Sequence, residues 1–233
     1  SIEAGSKFKN GRIFAVDLSV ASLSYASRKT SEFGLKNIEY MQADILDLSA
    51  LGRKFDIIEC CGVLHHMEDP LKGWKLLTEC LNPGGLMKIA LYSEKARGSV
   101  NRVRQEIMEL RIKSDSTSIK NFRDMVISSD EAHHKSIRSF ADFYCLSELR
   151  DLLFHVKEHQ FIIPDIESTL NKLKLSFCGF ESDGVVNAFS SENPRPDDLY
   201  NLSTWNLFEN QHLDVFSGMY QFWCQKLDET SNV

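Results

Sequence analysis

The chain has 233 residues, 42% of them hydrophobic and 26% charged, and a net charge of −6. That length and balance suit one large globular domain, or one domain with a small appendage, able to bury a sizeable core. The acidic balance argues against a nucleic-acid binder or an anionic-membrane binder, both of which lean on basic surface. No apolar run approaches the roughly 20 residues that span a bilayer.

Six cysteines (Cys60, Cys61, Cys80, Cys145, Cys178, Cys224) are scattered without a C-x-x-C pair. The opening SIEAGSKFKNG lacks the apolar core of a secretory signal. Reduced thiols in a cytoplasmic protein fit both observations. Because Ser1 stands where an initiator methionine would, the expectation is a processed chain or a part of a longer one.

The first element is a β-branched and aromatic strand, Arg12 to Val16, ending in Asp17. Ser19 is placed to cap a following helix with Val20, Leu23 and Ala26 at helical spacing, and Gly34 to close it. A second short strand, Ile38 to Met41, ends near Asp44, and a third, Phe55 to Cys60, is almost continuously apolar. Such a run is expected of a parallel strand covered on both faces. Asp69-Pro70 opens a helix with Leu71, Trp74, Leu77 and Leu81 on one face, and Asn82-Pro83-Gly84-Gly85 turns into the strand LMKIALY. Alternating strands and helices predict a doubly wound, mostly parallel α/β sheet.

From Lys95 the pattern changes. Arg97 to Lys113 reads as a charged helix, Ser114 to Ser118 as a flexible break, and residues 119 to 172 as several helices, with Leu149, Leu152, Val156 and Gln160 on one face. Lys174 to Phe180 alternates as a late strand, and Trp205, Phe208, Phe216, Tyr220 and Trp223 recur at helical spacing. The expected organisation is a core over 1–94, a helical insertion over 95–172, and a closing strand with C-terminal helices over 173–233.

In an open parallel sheet, ligands bind at the carboxyl ends of the strands. Asp17 at such an end can accept hydrogen bonds from both hydroxyls of a ribose, or serve only as a turn residue. Asp44 can accept from an adenine amino group, or only cap the turn before Leu46. Cys60, Cys61 and Gly62 emerge from the third strand, and Gly62 allows a close backbone approach. His65 and His66 follow in a loop, either as pocket-lining residues or with one of them as a general base. Asp69 reads as a helix cap. Arg97, Arg102 and Arg104 read as a solvated helix face, or as a contact for an anionic substrate.

The run FDIIECCGVLHHMEDPLKGWKLLTECLNPGGLMKIALY, with Asp17 and Asp44 placed upstream, resembles class I S-adenosylmethionine-dependent methyltransferases over residues 11–92. The later segments DFYCLSELRDLLFHVKEHQF and WNLFENQHLDVFSGMYQFW are similar to bacterial members that carry tetratricopeptide repeats ahead of the catalytic domain. The resemblance implies a Rossmann-like fold and methyl transfer from S-adenosylmethionine, leaving S-adenosylhomocysteine. It implies cofactor contacts from Asp17, Leu18, Asp44, Ile45, Cys60, Cys61, Gly62 and His65, with His66 and Tyr92 on the catalytic side, no metal ligand, and the insertion as a substrate lid. The acceptor is expected to be a small molecule or a protein, with no nucleic acid or membrane partner, and the chain to associate with itself if its sheet centre is open.

The start departs from the family pattern. No two glycines here are spaced G-x-G. The resemblance therefore implies a core lacking its first strand and its glycine-rich loop, with a central gap in the sheet and unpaired backbone groups.

Three other readings compete. A methyltransferase-like module without catalysis fits the absent loop. A nicotinamide-binding domain shares the ribose-binding carboxylate but gives no reason for the V-L-H-H and P-G-G set. His155-Val156-Lys157-Glu158-His159 matches the H-x-x-E-H pattern of a zinc peptidase, without a convincing third ligand downstream.

Overall fold

The computed structural model describes residues 1–154 and 158–228. A short helix α1 (Ile2–Lys7) precedes β1 (Ile13–Asp17), α2 (Val20–Glu32) and β2 (Ile38–Gln42). Gly5 of α1 lies so close to β2 that an added Cβ would meet Ile38 Cδ1 at 2.6 Å. β1 and β2 pair in parallel, with Ile13 opposite Ile38 and Asp17 opposite Gln42. The Ser19 hydroxyl accepts from the Ser22 N–H, and Gly34 at φ +68° follows the helix end, as the cap residues predict.

A 3-10 turn (Ile45–Leu51) leads to β3 (Phe55–Cys61), a second 3-10 turn (Leu64–His66), α3 (Pro70–Cys80) and β4 (Leu81–Leu91). Asp69 caps α3 through the Lys72 N–H at 3.1 Å. The close approach of α3 to the preceding loop depends on Gly73, where a Cβ would clash with Met67 Sδ. The second half comprises α4 (Gly98–Glu109), α5 (Ser116–Ser128), α6 (Ala132–Ile137), α7 (Leu146–Phe154), α8 (Ile163–Lys172), β5 (Leu175–Phe180), α9 (Asp183–Glu192), α10 (Leu202–Gln211) and β6 (Tyr220–Lys226).

The strands form two sheets. One holds β1 and β2, the other runs in the order β3-β4-β6-β5. β3 and β4 are parallel, while β6 runs antiparallel to both its neighbours. The two sheets share no strand-to-strand hydrogen bonds; Phe14 of β1 stacks on Phe55 of β3 with ring centroids 5.9 Å apart. β1 and β3 each keep an unpaired edge among the described residues.

Two cores follow. The sheet core gathers Trp74, Leu81, Met87, Ile89, Tyr220 and Phe222, and extends to α8 and α10 through Ile163, Ile166 and Trp205. Trp205 stacks on Phe189 at 3.7 Å between centroids. The second core lies wholly within the helical region, around Val103, Ile119, Val126, Ile137, Phe143 and Leu149. All six cysteines are unpaired, and no described helix is long and apolar enough to cross a membrane.

Several sequence expectations need correction. β3 is not covered on both faces: Ile57 is 45% exposed, and Glu59 and Cys61 are exposed beside it. The break expected over Ser114–Ser118 is a helix start, because the Asp115 carboxylate accepts from the N–H groups of Thr117 and Ser118. The aromatic tail is not helical throughout. α10 stops at Gln211, and Tyr220, Phe222 and Cys224 are buried at the two-residue period of β6, which finds partners on both sides. Helical spacing fitted those aromatics only because a turn around Phe216 interrupts the count. Gln160 is not helical, and Val156 lies outside the described residues.

Candidate functional site

At the ends of β1 and β2, two carboxylates come from adjacent strands. The Ala43 N–H donates to the Asp17 carbonyl at 3.3 Å, and the Gln42 side-chain amide donates to the Leu18 carbonyl at 3.0 Å. Asp17 Oδ1 accepts from the Ser19 N–H at 2.8 Å, and Asp44 Oδ1 accepts from the Leu46 N–H at 2.9 Å. Each therefore uses one oxygen in a local turn, and Oδ2 of each makes no hydrogen bond among the described residues. The turn role and a ligand role are compatible, because a carboxylate has acceptor capacity for both. Beside them Leu18 is 65% exposed and Ile45 half-buried.

Where β3 ends, Gly62 adopts φ +76°, and nothing lies within 4 Å of where its Cβ would be. That backbone conformation favours glycine, and it leaves open space next to the chain. The Cys60 thiol is buried, and burial pushes its pKa up to about 12, so it stays neutral. Cys61 is exposed.

The histidine pair meets Tyr92 across the ends of β3 and β4. The His65 ring lies 4.2 Å from that of Tyr92 and 4.3 Å from that of His66, with His66 and Tyr92 6.3 Å apart. His65 is fully buried. Burial above all, with neighbouring His66, lowers its pKa to about 4, which keeps the ring neutral. Tyr92 is half-buried; burial raises its phenol pKa, and the Arg97 guanidinium 3.4 Å above the ring only partly opposes that rise. His66 is more accessible than His65 and makes contacts of its own.

A segment that the sequence did not signal lies across these strand ends. The His159 N–H donates to the His65 carbonyl at 2.8 Å, and the Phe161 N–H donates to the Tyr92 carbonyl at 2.9 Å. Residues 158–161 thus act as a strap over the histidine loop. Its Glu158 carboxylate is almost fully buried and accepts from Arg97 at 3.3 Å and Arg104 at 2.8 Å. Burial alone would raise the Glu158 pKa, but the two guanidiniums hold it below the usual carboxylate range.

Arg97 and Arg104 are therefore neither a solvated face nor free for an anionic substrate, a correction to both readings. Arg102 alone is largely exposed, reaching toward Glu106 at 3.9 Å. The peptidase pattern fails on the same grounds. Its Glu158 is committed to two arginines, the chain at His159 is not helical, and His155 to Lys157 lie outside the described residues. Nothing in a single sequence marks Glu158 as their partner, since it lies 61 residues from Arg97 and 54 from Arg104.

Comparison with known proteins shows what the chain is similar to. Residues 1–87 match the family described as a methyltransferase domain. Among solved structures, PKMT2 from Rickettsia typhi aligns over 98% of this chain and 45% of its own, with a TM-score of 0.65 and 18% identity. It has also been solved in complex with AdoHcy. Residues 1–87 thus match a methyltransferase domain, and the chain shares its fold with PKMT2.

Sequence relatives narrow this only slightly. An uncharacterized protein of Synechococcus sp. is 26% identical over 232 residues, spanning 90% of this chain and 55% of that protein. A tRNA U34 carboxymethyltransferase of Campylobacter curvus is 42% identical over 55 residues, 24% of this chain and 18% of that enzyme. The chain spans about half the length of its long-range relatives, 55% of the Synechococcus protein and 45% of PKMT2.

Proposed function

We propose that this chain carries the nucleoside-binding half of an S-adenosylmethionine-dependent methyltransferase and transfers a methyl group to a small-molecule or protein acceptor. The observation that carries the reading is the pair of carboxylates at adjacent strand ends, each with an uncommitted oxygen, beside an open glycine at the end of β3. In this reading Asp17 accepts from the ribose hydroxyls and Asp44 from the adenine amino group. Leu18 and Ile45 flank the base, and the backbone of Cys60 to Gly62, with His65 behind it, forms the floor. The residues present fit the nucleoside. For the methionine end the described residues offer no G-x-G loop.

The bound cofactor supplies a methyl group on a sulfonium centre that needs no further activation. The protein's task is then alignment, holding acceptor and methyl at about 3–3.5 Å in line. His66 and Tyr92 face the acceptor side. With the Tyr92 phenol shifted up by burial, it holds its proton at neutral pH and orients the acceptor by hydrogen bonding. That leaves His66 as the group to take a proton when the acceptor must lose one. The strap at 158–161 fixes the histidine loop from behind. A net charge of −6 supports a small-molecule or protein acceptor over a nucleic acid.

Calorimetric titration with S-adenosylhomocysteine tests the reading. Binding near micromolar, about −8 kcal/mol, that is abolished by Asp17→Ala supports it. A folded chain that shows no binding, or equal binding by the variant, contradicts it.

A further inference from the structure

We propose that Glu106, His133 and His134 bind one divalent transition-metal ion of the zinc class and so pin α6 to α4. This site is independent of the methyl-transfer reading, because all three residues belong to the helical region. Their donor atoms lie within 4.8 Å of one another. His134 Nε2 is 2.8 Å from Glu106 Oε2, and His133 Nε2 faces Glu106 Oε1. Two imidazoles thus present the same ring atom to the two oxygens of one carboxylate.

The helix does not dictate that convergence. Consecutive residues of an α-helix point about 100° apart, so His133 and His134 must both turn inward to reach Glu106; their rings lie 4.3 Å apart at the centroids. Two imidazoles and one carboxylate form a borderline-soft set suited to zinc, with the fourth position left to water as in open zinc sites. Tetrahedral zinc with bonds of about 2.0–2.2 Å places its ligand atoms about 3.4 Å apart, so the His134–Glu106 pair must open from 2.8 Å, and any pair near the 4.8 Å bound must close. His134 is only 5% exposed, while the side chains of His133 and Glu106 are 17% and 18% exposed, which leaves an entry path for the ion on their side. His134 Nδ1 is buried without a partner. The ring is therefore held by its Nε2 contact alone, the atom offered to the metal. Among the described residues, Arg102 is the one other charged side chain paired with Glu106; at 3.9 Å and 58% exposed, it can swing into solvent as the ion enters.

A structural consequence follows. α6 spans six residues, too short to be stable by itself. An ion bridging it to α4 would stabilise the fold by mass action, since the unfolded chain lacks the assembled site.

The untagged full chain, dialysed against micromolar zinc chloride and then metal-free buffer, is expected to retain one zinc by elemental analysis. Its thermal midpoint should rise with zinc and fall back with EDTA, and the His133→Ala/His134→Ala variant should show neither effect. If that variant does not fold, cobalt(II) loading of the wild type decides. Visible ligand-field bands without a thiolate charge-transfer band support the histidine–carboxylate site, and a thiolate band assigns the metal to cysteine instead. Loss of all metal on dialysis, or equal retention by the folded variant, overturns the proposal and leaves the trio as a hydrogen-bonded cluster.

Discussion

The strand-rich beginning and the helical region α4–α7 are built from similar apolar content but close themselves differently. In the helical region Val100, Val103, Ile119, Val126, Ile137, Phe143 and Leu149 are all completely buried, and a buried carboxylate is matched by two arginines. In the beginning, Leu18, Val20, Tyr25, Phe33 and Ile57 remain between 45% and 66% exposed, and β1 and β3 each keep an unpaired edge. One region is a finished core. The other leaves large apolar side chains at its surface, next to two carboxylates that each use one oxygen in a local turn.

That contrast breaks first at Glu158. Removing its carboxylate in Glu158→Ala leaves Arg97 and Arg104 facing each other without a counter-charge. A loss of about 3–5 kcal/mol in chemical denaturation is expected. A loss of under 1 kcal/mol would mean that the arginines find solvent and that the region is looser than described.

The same chemistry applied in both regions sharpens it. Ile119→Ala, at a fully buried position, is expected to cost about 2–5 kcal/mol, whereas Ile57→Ala, at 45% exposure, should stay within about 0.5–1 kcal/mol. Urea midpoints of the two variants measure the difference directly. Equal losses would show that β3 is covered in solution, for instance by a second copy of the chain.

Acid should reach the histidine loop specifically. The folded His65 pKa lies at about 4 against an ordinary 6.5. The neutral ring is therefore favoured by folding, and its stabilising contribution is complete above pH 6.5 and lost as pH falls toward 4. Wild type should lose more stability than His65→Gln across that window, when unfolding is followed at several pH values. Parallel pH profiles would place His65 in contact with water. A modest effect is expected at the α3 cap: Asp69→Ala should cost about 1 kcal/mol, read from the thermal midpoint.

How much of this was legible in the sequence depended on the range of the interaction involved. Three helix ends are legible locally, whereas the Asp115 cap is not, and Leu81 with Asn82–Gly85 belongs to β4 rather than to the helix face and turn its sequence suggests. Ser19, Asp69 and Gly34 cap their helices as their side chains and backbone freedom require, and the ends of β1, β2 and β3 fall where Asp17, Asp44 and Gly62 stop the apolar runs. Interactions between distant residues were not legible. The partnership of Arg97 and Arg104 with Glu158, and of Glu106 with two histidines 27 and 28 residues away, is created by tertiary packing and leaves no local period. β6 is not legible locally for a related reason: aromatic residues fit either period until a partner strand decides, and β4 and β5 are the partners.

Hydrogen exchange, read by mass spectrometry with and without S-adenosylhomocysteine, tests the central claim most directly. Slower exchange on ligand addition at the N–H groups around Leu18–Ser19, Ile45–Leu46 and Cys61–Val63, with α4–α7 unchanged, is the predicted result. Unchanged exchange at all three strand ends, or protection confined to the helical region, would contradict the placement of the nucleoside site.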